Sequence, residues 1–167
     1  MDRIFAKIVN KTLSEIKRMK TLRRKKNLSQ YTVQDMMVAY SEDAIVLAQQ
    51  HGYALDFSED SLKQVDQILE KYHQGIPRGF KKLFSKVPSE EKITQISKIF
   101  GGYVGEVMRR HIGGEWGLSD QFENALALKF NTNTEVYPPA KVNKRIINGS
   151  EDNIWFYYCV INEKKDE

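Results

Sequence analysis

Apolar residues recur at three- and four-residue steps along the first two-thirds of the chain and then give way to short runs, so the pattern predicts helices followed by a small sheet. In residues 1–26, Ile4, Phe5, Ile8, Val9, Thr12, Leu13, Ile16 and Met19 draw a single apolar stripe, which predicts an amphipathic helix. Polar positions around Asn27, Ser29 and Gln30 break the stripe, and a linker is expected at 27–31. A second helix is predicted from about Val33 to Gln50, with Met36, Met37, Tyr40, Ala44, Leu47 and Ala48 inward and Gly52 ending it. Ser58 suits the N-cap of a third helix, from Glu59 to about His73, whose Leu62, Val65, Ile68, Leu69 and Tyr72 share a face. Residues 74–88 read as a loop, since Gly75, Pro77, Gly79 and Pro88 surround the apolar patch Phe80, Leu83 and Phe84. A fourth helix opens at Ser89 with Glu90 and Glu91, carries Ile93 through Met108, and stops at Gly113-Gly114.

Beyond that point the period shortens. Trp116 to Leu118, Ala125 to Phe130 and Glu135 to Tyr137 are expected to form three short strands, the last two joined by the turn Asn131-Thr132-Asn133-Thr134. Pro138-Pro139 ends the sheet and leads to a short helix through Lys144 and Ile147, which Asn148-Gly149 breaks. Ser150-Glu151-Asp152 would cap a final helix through Trp155 and Ile161, although the aromatic and β-branched residues there would also suit a strand. The expected fold is therefore α+β: a helical N-terminal two-thirds packed on a small, about three-stranded antiparallel sheet, with a short helical C-terminus. The domain organisation that follows is a basic amphipathic helix at 1–26 and one α+β domain at 32–167.

Charge changes this picture in one place. The net charge is +4, yet residues 1–26 hold ten Lys and Arg against Asp2 and Glu15, or +8, so the rest of the chain is at −4. The cations Lys17, Arg18, Arg23, Arg24, Lys25 and Lys26 form a basic surface toward the end of that segment, matched to the negative pole of a helix. Such a face can be simply solvated, or it can lie on an anionic surface, nucleic acid or membrane. It lacks the aromatic interleaving of a base-stacking surface. Elsewhere the 167 residues hold one cysteine, Cys159, so no internal disulfide forms, and no run approaches the ~20 apolar residues of a bilayer span. With Lys and Arg interrupting the N-terminal apolar positions, a cytoplasmic location is expected.

The stretch IFGGYVGEVMRRHIGGEWGL, residues 99–118, is the most unusual. Gly101, Gly102 and Gly105 each cost a helix up to about 1 kcal/mol relative to Ala, so close packing against a neighbour is expected to offset them. The alternative reading, a backbone that must approach a ligand, has less support, because the spacing is not that of a phosphate loop: no Gly-Lys-Ser or Gly-Lys-Thr follows and no strand clearly precedes it. Glu106 has Arg109 and Arg110 three and four residues on, a surface pairing if it is exposed. If Glu106 is buried it needs a partner, and Lys144 or Arg145 is the expected one. Tyr103, Glu106, Glu115, Trp116, Lys144 and Arg145 are thus candidates to line a cleft for a small molecule or for acid–base work. His51, His73 and His111 are scattered, with no metal-binding spacing, and each reads as a helix-end residue bonding the last carbonyls. No metal and no cofactor is expected. Cys159 reads as a small core residue, and no Gly-x-Ser-x-Gly hydrolase motif is present.

Three blocks of the chain, YSEDAIVLAQQHGYALDFSEDSLKQVDQIL, IFGGYVGEVMRRHIGGEWGL and VYPPAKVNKRIINGSEDNIWFYY, resemble a family of small uncharacterised bacterial proteins. There a Leu-Asp-Tyr/Phe-Ser segment precedes a helix, a Gly-x-Tyr-x-Gly-Glu helix ends in Gly-Gly-x-Trp, and a Pro-x-x-x-Val-x-Lys-Arg stretch follows. Leu55, Asp56, Ser58, Gly102, Tyr103, Gly105, Glu106, Gly114, Trp116, Pro138, Val142, Lys144 and Arg145 carry the match, over roughly residues 40–158. The resemblance transfers no activity. With no catalytic constellation in view, the leading expectation is a non-catalytic protein-binding module of the toxin-neutralising kind, with a protein partner. The competing expectations are the small-molecule or enzyme cleft and anionic-surface attachment through residues 1–26.

Overall fold

The computed structural model describes residues 32–76, 89–130 and 134–163. The expected helix at 1–26 with its basic residues, the linker at 27–31, the patch Phe80, Leu83 and Phe84, and turn residues 131–133 lie outside the described residues. In the rest, five α-helices and a three-stranded antiparallel sheet give an α+β fold. The helices are α1 (Val33–Gln50), α2 (Ser61–Gln74), α3 (Glu90–His111), α4 (Pro138–Asn148) and α5 (Ile154–Glu163). The strands β1 (Glu115–Leu118), β2 (Leu126–Lys129) and β3 (Glu135–Val136) lie in sequence order.

Helix α3 is the axis of the fold. Every residue from Ile99 to Met108 is buried, because α1, α4 and the sheet pack around it. Three glycines make those approaches possible. A Cβ on Gly101 would sit 2.4 Å from the Pro139 Cα of α4, and one on Gly102 would sit 2.8 Å from the Met37 carbonyl oxygen of α1. One on Gly105 would lie 2.0 Å from the Trp116 ring of β1, so the helix meets three different neighbours through backbone alone. The strand register places Trp116 opposite Leu128 and Leu128 opposite Val136, one buried row on one face of the sheet. Glu115, Lys129 and Glu135 occupy the alternate positions.

Element ends show where neighbours override local signals. Helix α2 begins at Ser61 rather than Glu59, since Ser58 is drawn into a tight turn: its Oγ donates to Asp56 Oδ1 at 2.6 Å and accepts the Ser61 N–H at 3.3 Å. Met36, expected inward, is exposed, and the buried stripe of α1 runs instead through Met37, Ser41, Ala44 and Ala48. Ser150-Glu151-Asp152 does not cap the last helix but forms a separate 3-10 turn. The last segment is helix, and its start is fixed from elsewhere. The buried carboxylate of Asp66 on α2 accepts the N–H groups of Ile154, at 3.0 and 3.1 Å, and Trp155, at 2.9 Å, while Asn153 Oδ1 accepts that of Phe156 at 2.7 Å. Buried Tyr158 then donates its hydroxyl to Glu59. Among the described residues no helix is long and apolar enough to cross a membrane.

Candidate functional site

Glu106 lies on the fifth turn of α3 and is completely buried. Its carboxylate is fully engaged. Trp116 Nε1 donates to Oε1 at 2.9 Å, Arg109 donates Nε to Oε1 at 2.9 Å and Nη2 to Oε2 at 3.0 Å, and Arg110 Nε approaches Oε2 at 3.7 Å. The fork-to-carboxylate geometry is bidentate, the strong form of this pair, and it pushes the Arg109 pKa above its ordinary value. The partners come from the same helix and from β1, not from Lys144 or Arg145.

Arg145 is buried and belongs to a second cluster. Its Nε donates to Asp66 Oδ1 at 3.0 Å, and its Nη2 donates to Glu70 Oε2 at 2.9 Å and to the Asp66 carbonyl at 3.2 Å, while Nη1 finds no partner among the described residues. That guanidinium, with the burial of Asp66, ties α2, α4 and the start of α5 together. Lys144, one residue away, is exposed, and so is Glu115, which points opposite Trp116 on β1. The cleft expected from Glu106, Glu115, Trp116, Lys144 and Arg145 is therefore not assembled. The alternation of a strand separates Glu115 from Trp116, and the helical turn separates Lys144 from Arg145.

Tyr103 is buried as well. Its hydroxyl accepts the Phe57 N–H at 2.7 Å and shares a hydrogen bond with Ser61 Oγ at 2.7 Å, and its ring stacks on Phe57 at 4.9 Å. Arg110 covers the other face of Phe57 at 3.4 Å from the ring centre, and His111 Nε2 donates to the Phe57 carbonyl at 2.9 Å. These contacts hold Phe57 at φ 63°, a left-handed backbone that a bulky residue avoids. The three histidines sit near helix ends, and each bonds a different segment: His51 with Tyr72, His73 with the Ile146 carbonyl, His111 with the Phe57 carbonyl.

Three stretches of the chain, 40–69, 99–118 and 136–158, thus meet one another: Phe57 with Tyr103, Gly101 with Pro139, and Arg145 with Asp66, while Glu106 and Trp116 pair within the second. Their residues hold the scaffold. Cys159 is half-buried on α5 rather than in the core. Among the described residues no group of three or more His, Cys, Asp or Glu side chains could hold a metal ion.

What the scaffold displays is the loop between β1 and β2. Ser119 Oγ accepts the N–H groups of Gln121, at 2.9 Å, and Phe122, at 3.0 Å, and donates to Glu135 Oε2 at 2.6 Å. Ser119 N–H donates to the Ala125 carbonyl at 2.8 Å, and Ala125 N–H to that of Phe122 at 3.2 Å. Glu135 also accepts the Asp120 N–H at 3.0 Å and the Tyr137 hydroxyl at 2.7 Å, with Lys129 Nζ 3.5 Å away. The Asp120 amide, then the Ser119 and Tyr137 hydroxyls, hold its carboxyl at about 2, well below the ordinary 4.5. On this pinned loop Phe122 is 59% exposed, resting edge-on against Tyr137 at 5.5 Å between ring centres. Phe122 has no sequence signal beyond a lone aromatic in a polar turn, and the role of Glu135 depends on a contact across three strands.

No protein-family model, no curated protein and no solved structure matches this chain.

Proposed function

We propose that the chain is a non-catalytic protein-binding module of the toxin-neutralising kind, and that it binds its partner through the β1–β2 loop. The observation that carries this reading is the combination at Phe122: a large aromatic side chain left mostly in water on a backbone fixed by five hydrogen bonds. Aromatic anchors dominate interface energetics when they enter a partner's pocket. A loop already ordered before binding avoids the roughly 0.5–1.5 kcal/mol that immobilising each side chain costs. The pairing of Glu106 with Arg109 and of Asp66 with Arg145 favours the same reading, since both buried carboxylates already have ionic partners within the chain.

The test places a photo-crosslinking amino acid at position 122 and, as a control, at exposed position 49 on α1, in cells that natively express the protein. A protein captured from 122 but not from 49 is then purified and titrated. Phe122→Ala is expected to weaken that complex by about 2 kcal/mol or more, roughly thirty-fold in Kd. Equal capture from both positions, or a Kd indifferent to Phe122, overturns the proposal.

A further inference from the structure

We infer that the partner surface received by the β1–β2 loop is cationic: an apolar socket for Phe122 rimmed by Lys or Arg side chains. This rests on the protein-binding reading above and specifies its chemistry.

The argument is local charge. Between Arg110 and Lys129 the chain has no Lys or Arg, but it has Glu115, Asp120 and Glu123, all exposed. Asp120 and Glu123 flank Phe122 in sequence, at two residues before and one after, and the Asp120 side chain is 83% exposed. The loop's own cation is already committed. Lys129 Nζ lies 2.7 Å from Asp120 Oδ2 and 3.5 Å from Glu135 Oε1, and those two carboxylates raise its pKa, the Asp120 hydrogen bond most of all. One ammonium thus faces two carboxylates, while Glu123 and Glu115 add further negative charge. A partner that closed over Phe122 would bring these carboxylates toward a low-dielectric rim. An acidic rim would be repelled, and a neutral apolar one would leave carboxylates desolvated without compensation. A rim of Lys or Arg meets both demands, steers the encounter and fixes the register around the anchor.

Because the loop backbone is pinned and Lys129 holds the Asp120 side chain, the Asp120 carboxylate is presented at a fixed position in the same loop as Phe122. Glu135 acts here as a positioning residue: it touches no partner in this account but holds the Asp120 amide and, through Ser119, the amides of Gln121 and Phe122.

A random-peptide phage library panned against the full chain tests this. The peptides that count are those that no longer bind Phe122→Ala. They are expected to be enriched in Lys and Arg around an apolar residue, to bind Glu123→Lys at least about fivefold more weakly, and to lose affinity as salt rises. Asp120→Asn, which removes the charge paired with Lys129, is expected to act in the same direction. Phe122-dependent peptides without basic enrichment, or ones indifferent to Glu123→Lys, overturn the cationic rim and leave the loop as a binding site. Failure to select any Phe122-dependent peptide overturns the underlying protein-binding reading instead.

Discussion

The indole N–H of Trp116 reaches 2.9 Å across the gap between strand and helix to the buried carboxylate of Glu106. That bond is possible because Gly105, one residue earlier, has no side chain where the indole ring lies. Glycine, glutamate and tryptophan thus form one device, in which a backbone surface admits the ring and a buried charge orients it. The device anchors β1, and the loop that follows β1 inherits its position.

Glu106→Gln is expected to destabilise the fold, since it replaces a charged acceptor by an amide and leaves Arg109 without its bidentate partner. Arg109 is partly exposed and recovers some hydration, so the expected loss is about 1–3 kcal/mol rather than the full cost of a buried orphan charge. Trp116→Phe removes the indole donor and part of the buried ring packed against Gly105, and is expected to cost about 2–4 kcal/mol. Urea denaturation followed by far-UV circular dichroism measures both.

Gly105→Ala would gain up to about 1 kcal/mol of helix propensity on an exposed helix, but here the expected sign is reversed. The new methyl would overlap the Trp116 ring and force it off Glu106, for a net cost of about 1–3 kcal/mol. The same assay, with tryptophan fluorescence read in a Trp155→Phe background that leaves Trp116 as the emitter, reads the displacement of the ring. A stabilised variant would show that the ring has room.

Asp66→Asn removes a carboxylate that serves Arg145 and the first two amides of α5 together. Arg145 is 3% exposed, so its guanidinium would be left inside the protein with Glu70 as its one carboxylate partner among the described residues. The expected cost is about 3–5 kcal/mol, with faster amide exchange at Ile154 and Trp155 before the rest of the chain opens.

The pH dependence of the loop follows from Glu135. Its carboxyl sits at about 2 in the folded chain against an ordinary 4.5, so the unfolded chain takes up the proton first as pH falls. The stabilisation is complete above about pH 4.5 and is lost as pH drops from there toward about 2. Comparing thermal melts of the wild type and Glu135→Gln across that range should show a difference that shrinks steadily with acid. A constant difference would mean that the carboxylate is not held by these donors.

Much of the fold is legible in the chain because it depends on local periodicity. The stripe Leu62, Val65, Ile68, Leu69 and Tyr72 marks α2, and the shift to short runs after Gly114 marks the sheet. The three glycines of α3 also announce close approaches, though not to which neighbours. What the sequence hides is long-range polar pairing. Asp66 lies 88 residues from the Ile154 amide it caps, so Ser150-Glu151-Asp152 offers a more obvious and incorrect local cap. Likewise, nothing in the spacing of Glu106, Lys144 and Arg145 tells which acid Arg145 meets. The loop at Phe122 is hidden for a related reason, since the Ser119 hydroxyl that gathers its amides is itself held by Glu135 on another strand, which also takes the Asp120 amide.

The account separates a scaffold, centred on Glu106 and Trp116, from a binding loop, centred on Phe122. The most direct measurement is a paired comparison of Phe122→Ala and Glu106→Gln by calorimetric titration with the crosslinked partner and by thermal melting. Phe122→Ala should weaken binding roughly thirty-fold with Tm nearly unchanged, while Glu106→Gln should lower Tm and leave the Kd of the folded protein intact. The reverse pattern, with Glu106→Gln abolishing binding in a folded protein and Phe122→Ala binding normally, would contradict the account and return the function to the buried carboxylate.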